Sequence, residues 1–156
     1  YYAFLKGDTT KQYLRTGDIG FVSQHDEHLY ICGRLKDLII SDGRNIHPED
    51  IEYTITESMD ALSSQSCAVI GYEDDKEIQK IAAIIETNRS LKRNLSEKID
   101  KLRTHICKSV IDEHGIGLSE IIFIQPATMK KTTSGKIQRS LMKNLYLKGK
   151  LSELNL

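Results

Sequence analysis

The spacing of apolar positions changes period several times along the chain, and each change marks an element. Ile51, Ile55, Met59 and Leu62 recur at intervals of three and four residues, which predicts an amphipathic helix. Pro48 suits its first helical position, and Glu49, Asp50 and Glu52 crowd the first turn, where the helix dipole favours negative charge. Leu95, Ile99, Leu102, Ile106 and Val110 predict a second, longer helix over 94–114, stopped by Gly115. Ile137, Leu141 and Leu145 carry the same period. Between the helices, Cys67 to Tyr72 and Ile81 to Glu86 are rich in Val, Ile and Ala and flank the acidic turn Glu73 to Glu77, so they predict adjacent strands. Ile121 to Gln125 predicts a third strand before Pro126.

Upstream, residues 1–17 read as polar and turn-like. Ile19 to Val22, a polar turn, and His28 to Cys32 predict a hairpin. Asp42-Gly43 is a tight-turn pair between two extended pieces. The order helix, strand, strand, helix, strand predicts an α+β fold: a small sheet of about three strands plus a short hairpin, packed with helices.

A chain of 156 residues is long enough for one domain, which buries roughly two-thirds of its unfolded surface. Basic and acidic residues balance at 22 each, which argues against bulk-charge binding of nucleic acid or an anionic membrane. The balance is uneven along the chain. Glu49 to Glu77 holds nine acidic residues and one lysine, whereas Ile121 to Ser152 holds seven basic residues and no acidic one. That basic stretch suits either contact with phosphate or plain solvation. Cys32, Cys67 and Cys107 are odd in number, far apart and set in apolar runs, so they read as small buried residues of a reducing compartment. No run approaches the roughly 20 apolar residues of a membrane span, and no signal-peptide pattern opens the chain. Beginning at Tyr1 in what reads as mid-domain sequence, the chain is expected to be part of a longer one.

Met129 to Arg139 carries the candidate chemistry. Thr132, Thr133, Ser134 and Gly135 predict an exposed, mobile and poorly ordered loop that delivers Lys136 at the start of a helix. Gly135-Lys136 is not a phosphate-binding P-loop, because Lys130 stands where that motif needs glycine and no Ser or Thr follows the lysine. His25 and His28 flank a turn without the further close ligands a metal needs, and no metal site is expected.

Three motifs in order carry a resemblance. Tyr13-Leu14-Arg15-Thr16-Gly17-Asp18 comes first. Gly33-Arg34-Leu35-Lys36-Asp37-Leu38-Ile39-Ile40 follows, continuing through Gly43-Arg44-Asn45 to His47-Pro48-Glu49-Asp50-Ile51-Glu52. Lys131-Thr132-Thr133-Ser134-Gly135-Lys136-Ile137-Gln138-Arg139 is the third. Together, over about residues 10–148, they resemble the C-terminal motifs of the adenylate-forming superfamily of acyl-CoA synthetases, luciferases and adenylation domains, and most of all the fatty acyl-AMP ligases. Two departures are visible: Lys130 replaces a usual proline, and Asp26-Glu27-His28 replaces an Asp-Gly turn.

The resemblance implies a fragment of a cytoplasmic ligase that activates a fatty acid with ATP and Mg2+ and passes the acyl group to the phosphopantetheine of an acyl carrier protein. It implies that residues 1–36 are the tail of a large N-terminal domain and 37–156 the small, mobile C-terminal domain. Lys136 would be the catalytic lysine, Asp18 and Arg34 would bind the nucleotide, and Lys36 would be the hinge. Gly43 and Arg44 would lie where the acceptor arm passes, Arg44 either steering an anionic acceptor or simply occupying a surface turn. ATP and Mg2+ would need the N-terminal domain, and the fragment alone would be inactive. CoA in place of carrier protein, or a non-catalytic carrier-protein-binding module, are the alternatives.

Overall fold

A computed structural model describes residues 2–41, 43–59 and 66–154, with the backbone alone over 89–98. The chain divides into two compact units, Tyr1–Leu38 and Ile39–Leu156.

The first unit is made of two antiparallel hairpins. β1 (Tyr2–Leu5) pairs with β2 (Asp8–Leu14), and β3 (Asp18–Val22) pairs with β4 (Leu29–Arg34). The β1–β2 hairpin corrects the reading of residues 1–17 as turn. Tyr2, Phe4, Thr9, Thr10 and Tyr13 are strand-favouring residues, and the pairs Tyr2↔Leu14 and Ala3↔Tyr13 bring them across from one another. A two-stranded ribbon has no second layer of its own, so its apolar side chains are left uncovered within this chain; Phe21 and Tyr30 stack on each other at 5.4 Å and are exposed there. The same geometry exposes Cys32, against the expectation that all three cysteines are buried. Cys67 is buried, Cys107 is half-buried, and all three thiols are free.

The second unit is layered. β5 (Ile39–Ser41) and β6 (Arg44–Ile46) form a short hairpin with Ser41 opposite Arg44. Asp42, half of the expected turn pair, lies outside the described residues. α1 (Pro48–Glu57) follows with proline at its start, as expected. β7 (Cys67–Glu73), β8 (Gln79–Glu86) and β9 (Glu120–Ile124) form a sheet with β8 central, antiparallel to β7 and parallel to β9. Parallel strands need a long crossover, and α2 (Arg89–His114) supplies it, starting five residues before the helix expected over 94–114. α3 (Arg139–Leu147) closes the order.

Both faces of the sheet are covered, which explains why its strands read as continuous apolar runs. Successive side chains point to opposite faces. Cys67, Val69, Ile81, Ala83, Ile85, Ile121 and Phe123 meet Ile51 and Ile55 of α1 and Ile106 and Val110 of α2. Ala68, Ile70, Ala82, Ile84, Ile122 and Ile124 meet Met129 and Met142. Leu62 and the side chain of Leu95, expected in the two stripes, lie outside the described residues. For α3 the expected stripe shifts. The helix begins at Arg139, so Ile137 precedes it; Met142 is fully buried while Leu141 is exposed. After α3 the chain returns to the sheet, where Glu153 bridges Ile124 and the Leu154 amide donates to the Phe123 carbonyl. No described helix is long and apolar enough to cross a membrane.

This arrangement predicts a sharp contrast between two single substitutions. Ile84→Ala, inside the sheet with no exposure, should cost about 2–5 kcal/mol. Tyr53→Ala, on the outer face of α1, should cost within about 0.5 kcal/mol. Urea unfolding of both variants checks the pair.

Candidate active-site loop and its supports

The segment carrying Lys136 is folded on itself, which corrects the expectation of a loose loop. The Thr132 amide donates to the Lys136 carbonyl, and the Gly135 amide to the Thr132 carbonyl. The Lys136 amide donates to Thr132 Oγ1 at 3.1 Å, and Thr132 Oγ1 lies 2.9 Å from Ser134 Oγ. Gly135 takes φ +84°, a left-handed value that costs a side-chain-bearing residue roughly 1–2 kcal/mol. The hydroxyl-rich composition therefore reflects turn closure. Lys136 itself is exposed, three residues before α3 begins.

Two groups tie down the base of this turn. Gln138 donates its amide nitrogen to the Lys131 carbonyl at 2.8 Å, and its backbone N–H to the Lys130 carbonyl. On the sheet side, Glu86 accepts from the Met129 amide at 2.6 Å and lies 3.9 Å from the Lys131 ammonium. Both ends of the segment are thus held to structured elements.

Immediately beyond, Arg139 and Glu52 form a buried ion pair. Arg139 Nε and Nη2 donate to Glu52 Oε1 and Oε2, both at 2.9 Å, and Nη1 lies 3.0 Å from Glu49 Oε1. Glu52 Oε1 also accepts from the Val69 amide at 2.8 Å. The two side chains are only 12% and 11% exposed. Burial outweighs the guanidinium and the Val69 amide, so the Glu52 carboxyl is held above its ordinary value. Sequence reading placed Glu52 merely as a first-turn acid. Pro48, Glu52 and Thr56 recur every four residues beside Ile51 and Ile55, and all five are buried; that spacing was the available signal. Its partner lies 87 residues away, and no local pattern points to it.

The β5–β6 hairpin brings Gly43 to an open tip. Gly43 has φ +72°, and an added Cβ would meet nothing within 4 Å. Arg44, expected either to steer an acceptor or to sit in a surface turn, is engaged at the end of α2: its guanidinium donates to the carbonyls of His114 and Gly115 at 3.2 and 3.1 Å. A cavity of about 150 Å³ beside it is lined by Asn45, His47, Asp50, His114 and Ile116.

In the first unit the structure brings Asp18 and Arg34 together. They face each other across β3 and β4, with Arg34 Nε 3.1 Å from Asp18 Oδ1. Asp18 enters the strand after Gly17, its amide donating to Thr16 Oγ1 at 3.1 Å. Lys36 is exposed, two residues before the boundary between the units. His25 and His28 are exposed, His28 lying 3.3 Å from Asp26.

The three sequence motifs thus fall on an exposed turn closed by its own hydrogen bonds, a hairpin that pairs Asp18 with Arg34, and a hairpin with Gly43 at its tip. Comparison with known proteins gives the family. A family model described as "Disco-interacting protein 2-like, AMP domain" matches residues 36–155. The chain belongs to this family of AMP domains, within the adenylate-forming superfamily. It is 37% identical over 90% of its length to the medium-chain fatty acid–acyl-carrier-protein ligase JamA of Moorena producens, covering 23% of that protein. It is 34% identical over 96% of its length to the long-chain fatty acid–AMP ligase FadD23 of Mycobacterium tuberculosis, covering 24% of it. Among solved structures, the fatty acyl-adenylate ligases from E. coli and L. pneumophila match with TM-score 0.68 and 34% identity, over 87% of this chain and 22% of that one. The chain thus spans about a quarter of the length of these relatives.

The buried pair predicts an asymmetric stability response. Arg139→Met leaves a buried carboxylate short of its main counter-ion and should cost about 3 kcal/mol or more at about pH 7. Adding Glu52→Gln to that chain should recover most of the loss. The folded state binds the Glu52 proton more tightly than the unfolded chain, whose value is the ordinary 4.5. That carboxyl therefore favours the fold below 4.5 and loses the advantage as pH rises. The Arg139→Met penalty should accordingly shrink on acidification, a trend that urea unfolding across pH measures.

Proposed function

We propose that this chain is the C-terminal part of a fatty acyl-AMP ligase, with residues 1–36 the tail of a larger domain and 37–156 the small catalytic-lysine domain. The observation that carries the reading is the Lys136 turn. It presents an ammonium group on an exposed tip whose backbone is closed by its own hydrogen bonds. The relatives named as fatty acid–AMP and fatty acid–carrier-protein ligases supply the substrate class.

In the first half-reaction a fatty acid carboxylate attacks the α-phosphorus of ATP, the bond to pyrophosphate breaks, and an acyl-adenylate forms. Two anions must approach each other, and Lys136 is a compact positive charge suited to holding both and stabilising the charge that builds up between them. Asp18 has the acceptor oxygens to take ribose hydroxyls, with Arg34 orienting its carboxylate. ATP arrives with Mg2+ on its phosphates. The described residues of this chain gather no group of three or more His, Cys, Asp or Glu side chains to hold a metal, so the ion would be held by ATP and by residues outside this chain.

In the second half-reaction the pantetheine thiol of a carrier protein attacks the acyl carbonyl and AMP leaves. Lys36 is the position whose backbone torsions change between the two half-reactions. The open space around Gly43 lets the pantetheine arm pass close to backbone, and Arg44 braces that hairpin against α2. We place the reaction in the cytoplasm, where ATP is supplied, and expect residues 1–156 alone to be inactive.

A second reading, CoA as acceptor, is favoured by one relative: the chain is 33% identical over 92% of its length to a putative fatty acid–CoA ligase, fadD21, of Mycobacterium leprae. Offering fatty acid and ATP with either CoA or carrier protein, and identifying the thioester formed, separates the two.

In the complete ligase, Lys136→Ala should slow adenylate formation on the order of a hundredfold or more, read as pyrophosphate release, while largely sparing acyl transfer from preformed adenylate. Equal loss of both steps refutes the assignment. Gly43→Leu should show the opposite split, slowing thioester formation while pyrophosphate release continues.

A further inference from the structure

We propose that Arg139 and Glu52 form a positioning clamp that sets where Lys136 is held during adenylation. The inference rests on the assignment of Lys136 to that step. Arg139 opens α3, and only Ile137 and Gln138 separate it from Lys136. Gln138 in turn holds the other strand of the turn through the carbonyls of Lys130 and Lys131. A displacement of Arg139 therefore carries to the lysine through a short, hydrogen-bonded path.

The clamp's other half is anchored twice. Glu52 sits on the buried side of α1 and takes the Val69 amide of β7 as well as the Arg139 fork. One carboxylate thus joins α1, the sheet and the start of α3. Because α1 follows directly on the β5–β6 hairpin, the clamp also fastens the Lys136 turn to the element carrying Gly43. The two loops assigned to successive half-reactions are built into one body.

Stability alone does not account for such a pair. Desolvating two charges is costly, and apolar residues of similar volume commonly serve a fold as well or better. A planar guanidinium bound through two parallel N–H donors fixes direction as well as distance, which apolar packing does not. Direction matters here, since a misplacement of about 1 Å in a catalytic group can cost on the order of a hundredfold in rate.

The test compares Arg139→Lys, Glu52→Gln and Lys136→Ala in the complete ligase. Each is read by pyrophosphate release, by acyl transfer from preformed adenylate, and by thermal unfolding. Arg139→Lys keeps the charge but loses the fork, and should lower the kcat of adenylation on the order of tenfold or more, with KM for ATP and the transfer step changed by less than about twofold. Should Arg139→Lys not fold, Glu52→Gln gives the same readout, because a glutamine oxygen still accepts the Val69 amide. A folded variant with adenylation unchanged, or with both half-reactions reduced equally, overturns the clamp. If Lys136→Ala itself leaves adenylation intact, the assignment of the lysine fails, whatever Arg139 does.

Discussion

A three-stranded sheet with both faces buried is the constraint on which the rest of the second unit depends. From Ile81 to Ile85 every side chain of β8 is inside, alternating between the two layers. Neither layer can be removed without exposing half of that strand to water. At about 25 cal/mol per Å² of apolar surface, this makes docking of α3 a condition of folding. Met142, fully buried against Ile84 and its neighbours, anchors α3 together with Leu145 and Tyr146. The placement of Lys136 is thus decided first by apolar packing beneath it and then refined by the polar contacts of Gln138, Glu86 and Arg139.

Much of this was legible in the order of residues. α1 was readable because Ile51 and Ile55 keep helical spacing behind Pro48, and α2 because Ile106 and Val110 extend a longer run of the same period. β7, β8 and β9 were readable as apolar runs, yet their burial on both sides follows from the helices that cover them, which no strand records. The β1–β2 hairpin was missed because its threonines, lysine and aspartate look like loop composition, although pairing lets them act as strand residues. The start of α3 was misplaced by two residues for a similar reason: Ile137 has the right spacing but belongs to the bridge it forms with Lys131.

The candidate site divides in the same way. Lys136, Asp18, Arg34 and Gly43 are singled out by residue type once three motifs stand in order. Glu52 and Arg139 were in those motifs too, but their contact is set by the docking of helices remote in sequence. Arg44 has a contact that its motif did not announce: its guanidinium donates to the carbonyls of His114 and Gly115 at the end of α2.

One property of the Lys136 turn reaches beyond the site. Both backbone groups of Lys136 are committed to Thr132, while its side chain projects from the surface. Closure of the turn thus draws on the backbone of this residue and leaves its ammonium out of that hydrogen-bonding. A chain with this lysine replaced can keep both of those backbone hydrogen bonds, so closure of the turn does not depend on the ammonium. Loss of the ammonium would change what the tip of the turn presents without opening the turn itself.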